Sequence, residues 1–117
     1  MRPKLARLKD RAWNVFSLWI RNRDKKCVTC DKVLPVELLQ AGHFFHGVLD
    51  FDEENINAQD ARCNKWLSGN LAIYSTYLLK KLGKKKFDAL NIRHYKAMKG
   101  EIKSEQDYLN IIEKYKI

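Results

Sequence analysis

Apolar residues in the first part of the chain fall at helical spacing. Leu5, Leu8, Ala12, Val15 and Trp19 recur at alternating steps of three and four, and Phe16 and Ile20 widen the stripe. This predicts an amphipathic helix over residues 3–23. Its polar face is cationic, with Arg2, Lys4, Arg7, Lys9, Arg11, Arg21 and Arg23 and almost no acid. Residues 27–59 then read as short strands and turns. Cys27 to Lys32 forms a knuckle turn, and residues 34–39 lead into a strand over 41–45. Residues 47–54 are a loop carrying Asp50, Asp52, Glu53 and Glu54, after which Asn55-Ile56-Asn57 approaches a helix bearing Asp60, Cys63 and Asn64. Gly69 is placed to break that helix and Asn70 to cap the next. Leu71, Tyr74, Leu78 and Leu82 predict a helix running to Gly83; Phe87, Leu90, His94 and Ala97 predict another over 84–99. Ser104 and Asp107 form a capping-box signature for a last helix with Tyr108, Ile111, Ile112 and Tyr115. The expected fold class is α+β and mostly helical, a small ββα core with flanking N- and C-terminal helices.

At 117 residues the chain suits one domain. It divides into a basic helix (1–25), the core (26–70) and C-terminal helices (71–117). Hydrophobic residues make up 45% of it, but they concentrate in the terminal thirds, so a metal staple in the middle would be physically useful. The net charge of +9 points to a polyanionic partner, with nucleic acid ahead of a membrane surface. Arg7, Arg11, Arg21, Arg23, Lys65 and the cluster Lys80, Lys81, Lys84, Lys85 and Lys86 are the candidate contacts to a phosphate backbone. No apolar run reaches the roughly 18 residues of a spanning helix, and the basic N-terminus lacks the apolar core of a signal peptide. Three cysteines in such a chain favour thiolate ligands over disulfides. The expectation is an intracellular, cytoplasmic protein with no membrane partner and no small-molecule cofactor.

The chemistry lies between Cys27 and Asn70. Cys27-x-x-Cys30 and Asp60-x-x-Cys63 have the spacing of two zinc knuckles, with an aspartate where a fourth cysteine is usual. These four residues are the candidate ligands of a structural zinc ion. His43 lies between the knuckles, too far along the chain to complete either pair, and a neutral imidazole suits a general base near neutral pH. Asn64 follows the last cysteine; its amide oxygen suits a hard cation such as Mg2+ or Mn2+. Ser68, four residues on, would share its face on a continuous helix. Asn55 is a candidate brace for the histidine loop. Two knuckles, a histidine between them and a ligand after the second suggest a zinc-stapled ββα nuclease site.

The same residues carry a family resemblance. The segments RLKDRAWNVFSLWIRNRD, CVTC, AGHF, LDFDEENIN, CNKWLSGN, the stretch from Tyr74 to Gly83, and HYKAMK leading to IIEKYK together resemble the phage NinG/Rap recombination nucleases. Those belong to the HNH or ββα-metal superfamily, and the likeness covers nearly the whole chain. It implies a structure-selective DNA endonuclease acting on branched recombination intermediates, Holliday junctions among them. It also implies His43 as base, Asn55 as the middle asparagine and Asn64 as the terminal ligand of a catalytic Mg2+ or Mn2+. Asp60 replaces a family cysteine. Gly42 stands where many HNH enzymes place a metal-binding aspartate, although NinG-like chains share the glycine. Gln40 stands where some relatives carry an acid, which leaves His46, Asp50 and Asp52 as candidate helpers of Asn64. Two coordinated cuts at a junction imply a homodimer. The rival readings are a zinc-ribbon-like module that binds nucleic acid without cutting it, and an HNH nickase without junction preference.

Overall fold

Ala12, Phe16 and Ile20, spaced four apart, lie fully buried along one side of the first helix and set its orientation on the rest of the chain. The structure, a computed structural model, describes residues 2–98 and 102–117. Helix α1 (Lys4–Asp24) ends at Lys25, which adopts the left-handed conformation and returns its N–H to the Arg21 carbonyl. A 3-10 turn (Val36–Leu38) leads to strand β1 (Gln40–His43), which pairs antiparallel with β2 (Ile56–Gln59). A π-helical turn (Arg62–Trp66) follows, then α2 (Leu71–Ala97) and α3 (Glu105–Tyr115). The α+β, mostly helical class expected from the sequence holds. No helix among the described residues is long and apolar enough to cross a membrane.

The register pairs Gln40 with Gln59, Ala41 with Ala58, Gly42 with Asn57 and His43 with Ile56. Since side chains alternate across a sheet, Ala41, His43, Ile56 and Ala58 share one face and Gln40, Gly42, Asn57 and Gln59 the other. The first face meets α1, where Phe16, Ile20, Leu39, Ile56, Ala58 and Tyr115 form one apolar cluster. Full burial of an isoleucine or phenylalanine side chain there contributes roughly 1.5–3 kcal/mol. The second face meets α2 through Tyr74, whose hydroxyl donates to the Gly42 carbonyl (2.7 Å) and accepts from Asn57 Nδ2 (3.1 Å). Tyr74 also packs with Val28, Leu78 and Leu90 in a second apolar cluster. The two-stranded sheet is thus held between helices.

Several sequence expectations need correction in detail. The strand stops at His43 instead of running to Phe45, because the Phe45 N–H and carbonyl bond the side chain of Asn55 rather than a partner strand. Asn55 precedes β2, whose Ile56 and Asn57 belong to the strand that leads on to the turn at Arg62. The helix expected to carry Asp60, Cys63 and Asn64 is a single π turn, closed by Leu67 N–H to the Arg62 carbonyl (2.9 Å). Ser68, Gly69 and Asn70 all have positive φ, so the chain reverses there and Ser68 does not extend the face of Asn64. Asn70 precedes α2 but does not cap it with its side chain. Gly83, at φ 79° and ψ 163°, is non-helical and divides α2 into two helical stretches, as the sequence spacing predicts. The last residue of the predicted 84–99 helix lies outside the described residues. The Ser104–Asp107 capping box is present in both directions, Asp107 N–H to Ser104 Oγ at 3.2 Å and Ser104 N–H to Asp107 Oδ2 at 2.7 Å.

Candidate metal centre and histidine site

The first knuckle folds because Asp31 takes a left-handed conformation (φ 64°) that lets Cys27 N–H reach the Lys32 carbonyl (2.9 Å) and Asp31 N–H the Cys27 carbonyl (2.8 Å). Val28 N–H bonds the Ala58 carbonyl (2.9 Å), which fastens this knuckle to β2. In the second limb Asp60 Oδ1 accepts from Cys63 N–H (2.8 Å), and Gly69 N–H returns to the Cys63 carbonyl (2.9 Å). The result brings ligand atoms of Cys27, Cys30, Asp60 and Cys63 within 4.8 Å of one another. Tetrahedral zinc with sulfur at about 2.3 Å places its thiolates roughly 3.5–3.8 Å apart, so this group could hold a metal such as zinc.

The chemistry of the donors agrees. Burial, and then donation to the Asp60 carboxylate (Sγ to Oδ2, 3.1 Å), pushes the Cys30 thiol up to about 12. Burial also raises Cys63. Burial opposes the Cys27 thiolate too, but hydrogen bonding to Thr29 and nearby backbone N–H groups outweighs it and lowers that thiol. Asp60 is likewise lowered: burial works against its charge, and the Cys63 N–H and Cys30 thiol overcome it. A metal arriving here displaces thiol protons, so its affinity rises with pH.

The histidine site is built on the loop between β1 and β2. Asn55 is completely buried. Its Oδ1 accepts from Phe45 N–H (2.8 Å) while its Nδ2 points at the carbonyls of Phe45 (3.1 Å), Leu49 (3.2 Å) and Val48 (3.4 Å). The brace inferred from sequence is therefore an amide clamp on both sides of the loop that follows His43. The imidazole stacks on Trp13 of α1, with ring centroids 5.2 Å apart and planes at 19°. His43 Nε2 lies 3.1 Å from Asp50 Oδ1. That hydrogen bond is the largest influence on Asp50 and holds its carboxyl below the usual range, with Lys9 and Lys103 adding to the effect and burial opposing it.

Asn64 projects toward the other face of β1, its Nδ2 donating to Gln40 Oε1 (2.8 Å). This turns the amide nitrogen onto Gln40 and leaves Oδ1 open to accept. His46 is exposed, its ring 5.7 Å from that of His43. Its Nε2 lies 3.7 Å from where a Cβ on Gly69 would sit, so it spans the gap between the histidine loop and the reversal after the π turn. A Cβ on Gly42 would collide with Gln59 Oε1, so an aspartate cannot stand there in this packing.

Two groups of candidates are placed otherwise than expected. Asp52 is held away from a solvated role by Arg93, whose Nε and Nη2 bond it at 2.8 and 3.2 Å, and Nη2 also reaches Glu54 (2.8 Å). Arg21 and Arg23 do not project from a solvated cationic face. Arg21 bonds the carbonyls of Ser17 and Val36, both at 3.2 Å. Arg23 bonds Asp24 (2.8 and 3.0 Å), the carbonyls of Glu53 (2.9 Å) and Ile56 (3.1 Å), and Asn57 Oδ1 (2.8 Å). Both anchor loops through these bonds. Arg7, Arg11, Lys65, Lys80, Lys85 and Lys86 are exposed. Lys84 pairs with Asp88 (2.7 Å), and Lys81 lies over the Tyr77 ring at 5.6 Å. Sequence reasoning did not find Trp13 as a site residue, nor Gln40 as the partner of Asn64. Asp50, a candidate helper of Asn64 on the sequence, lies instead against His43 Nε2 at 3.1 Å.

Comparison with known proteins gives a consistent picture. A family model described as Bacteriophage Lambda NinG protein matches residues 3–117. The protein named ninG of Escherichia phage 933W is 33% identical over 78 residues, which cover 63% of this chain and 38% of the relative. The ninG proteins of Escherichia phage lambda (32%) and Salmonella phage P22 (33%) match over the same length and the same shares. The matched region thus spans well under half the length of these relatives. No solved structure matches the chain.

Proposed function

The chain belongs to the NinG family, and from that membership together with the geometry around His43 we propose that it is a metal-dependent endonuclease acting on branched DNA, Holliday junctions included. The observation that carries the reading is how His43 is held. A carboxylate at 3.1 Å, an indole stacked on the ring and a buried amide clamping the following loop fix one imidazole in position and orientation. A packed core histidine needs none of these together, and a protein that only binds DNA needs no oriented base.

In this reading Asp50 accepts from Nε2–H of His43, which leaves Nδ1 to take the proton of an attacking water. Asn55 keeps the loop from drifting as charge develops on the ring. Asn64 Oδ1 fits a hard cation, since its amide nitrogen is turned onto Gln40. Among the described residues the only group of three or more His, Cys, Asp or Glu side chains able to hold a metal is Cys27, Cys30, Asp60 and Cys63. A Mg2+ or Mn2+ at Asn64 would therefore be completed by water and phosphate oxygens, as is usual for that ion. Bound there, it would supply Lewis-acid stabilisation of the scissile phosphate and the leaving 3′-oxygen. The four-residue sulfur-rich group takes zinc and holds the turn that carries Asn64. His46 assists at the Asn64 side without being the base. Exposed lysines and arginines grip the backbone, so recognition follows DNA shape more than sequence. Cutting both strands of a junction takes two copies of the site, hence a homodimer on DNA.

The test is single-turnover cleavage of a four-way junction and a matched linear duplex, with Mg2+ or Mn2+ and with EDTA. Junction cutting that needs the ion is expected, and His43→Ala should lose about 10²–10⁴-fold while gel-shift binding stays near the parent level. Asn64→Ala should lose cutting but regain part of it in excess Mn2+. Binding without cutting under every condition would make the chain a non-catalytic module. Equal cutting of both substrates would make it a nickase without junction preference. Full activity in His43→Ala would end the mechanism.

A further inference from the structure

Trp66 is 84% exposed, the most exposed aromatic residue among those described, whereas Trp13 and Trp19 are partly buried against the apolar core around Phe16 and Ile20. A bare indole is costly in water and contributes little to this fold. The turn beneath it is nevertheless held by specific bonds. Leu67 N–H closes it onto the Arg62 carbonyl at 2.9 Å, Cys63 is pinned within the four-ligand group, and Asn64 is tied to Gln40 at 2.8 Å. Single π turns of this kind are often found at functional sites.

The turn has two sides. Cys63 and Asn64 point inward. Trp66 follows Asn64 by roughly half a turn and Arg62 by roughly one, so the indole and the guanidinium share the outward side. Arg62 and Lys65 are both exposed, and neither pairs with an acid among the described residues. Asp60, the nearest carboxylate in sequence, is turned inward onto Cys63 N–H and Cys30 Sγ. The net charge of +9 adds to the preference for a polyanion. An exposed aromatic ring on a turn with two exposed cations matches a nucleotide, with the base against the ring and phosphates against the charges. Bases in an intact duplex are covered on both faces, so the ring has a partner only where a base is unpaired.

We propose that Trp66, flanked by Arg62 and Lys65, is a stacking platform for an unpaired base of DNA. The platform lies on the outer side of the turn that carries Asn64 and would place that turn at a branch or a strand end. This rests on the reading that DNA is the partner, but not on the reading that the chain cuts it.

The probe is a forked DNA with 2-aminopurine at one unpaired position beside the fork, titrated without added divalent ion and without chelator so that no cleavage occurs. Quenching of the 2-aminopurine on binding is expected. Trp66→Ala should lose the quenching and weaken fork binding roughly 5–150-fold, the span for losing one base–aromatic stack, while affinity for blunt duplex stays within about twofold. Trp66→Phe should restore most of both. Unchanged fork binding in Trp66→Ala, or an equal loss for fork and duplex, overturns the proposal. A change of sedimentation coefficient in Trp66→Ala without DNA also overturns it, by showing that the indole serves a protein interface. Failure of the cleavage assay above leaves these outcomes intact, so the two readings fail separately.

Discussion

Replacing Asn55 by alanine removes the clamp without touching His43, Asp50 or any metal ligand. The side chain bonds Phe45 N–H at 2.8 Å and the carbonyls of Phe45, Leu49 and Val48 at 3.1, 3.2 and 3.4 Å, all in a fully buried setting. The Phe45 N–H would be left without a partner, at about 1–3 kcal/mol. Two shorter carbonyl bonds and a small void add to this, for a total of roughly 3–4 kcal/mol. Domains of this size are usually stable by about 5–15 kcal/mol, so the variant should fold but sit near its limit. With an m-value of about 2 kcal/mol/M in urea, its midpoint should fall by roughly 1.5–2 M. The assay is urea unfolding followed by far-UV circular dichroism at pH 7 and fixed zinc. Asn55→Asp sharpens it, because it keeps the acceptor for Phe45 N–H while turning a carboxylate toward three carbonyl oxygens. It should be about as unstable as Asn55→Ala at pH 7 and recover as acid protonates it into a donor. A loss under about 1 kcal/mol for alanine, or none for aspartate, would show that the loop is held by something other than this amide.

Three further outcomes follow from the site. Purified protein should carry about one zinc, and Asp60→Cys should tighten it; absence of zinc by elemental analysis with unchanged melting in chelator would remove the metal reading. Asp50 has a depressed carboxyl in the folded chain, chiefly through His43, so its contribution is full above its unfolded value of about 3.9 and is lost as pH falls through the folded one; a pH series of melts should show this acid slope reduced in Asp50→Asn, and an unaltered slope would deny the pair. Charge reversal at Lys84, Lys85 and Lys86 should weaken binding to all DNA substrates alike and flatten its salt dependence, whereas a loss confined to one base sequence would refute backbone contact there.

The terminal helices were legible in the sequence because their apolar spacing matches what they bury. Ala12, Phe16 and Ile20 on α1, and Tyr108, Ile112 and Tyr115 on α3, are read from periodicity and found buried. The cysteine spacing similarly announced the four-ligand group, since a knuckle is a local structure. What the sequence did not show depends on contacts between distant segments. Arg23 looks like any surface cation until the carbonyls of Glu53 and Ile56 turn toward it. Asp50 and Asp52 stand two apart in one acidic loop, yet one meets His43 and the other Arg93. Gly69 marked a break, but CNKWLS reads as helix up to it, whereas the π turn already ends at Trp66 and Ser68, Gly69 and Asn70 all take positive φ.

Gly42 explains why the face of β1 beneath Asn64 carries no carboxylate. The position a side chain would occupy is filled by Gln59, whose Nε2 donates to the Gly69 carbonyl (2.8 Å) and to Thr29 Oγ1 (3.2 Å). Thr29 Oγ1 in turn lies 3.3 Å from Cys27 Sγ. Gln59 therefore joins the sheet, the reversal after the π turn and the four-ligand group, and shortening it to admit an acid at residue 42 would release all three. Its Oε1 stays buried against Gly42. Gln40 continues the same logic, since it meets Asn64 with a neutral oxygen where a carboxylate would compete for the amide as well as for an ion. The face is left with neutral oxygens only. A hard divalent ion bound by neutral oxygens alone is held weakly, because the hydration it gives up is not repaid by charge. Phosphate supplies that charge, so under the proposed mechanism the ion and DNA reach Asn64 together and the site is complete only when substrate is in place.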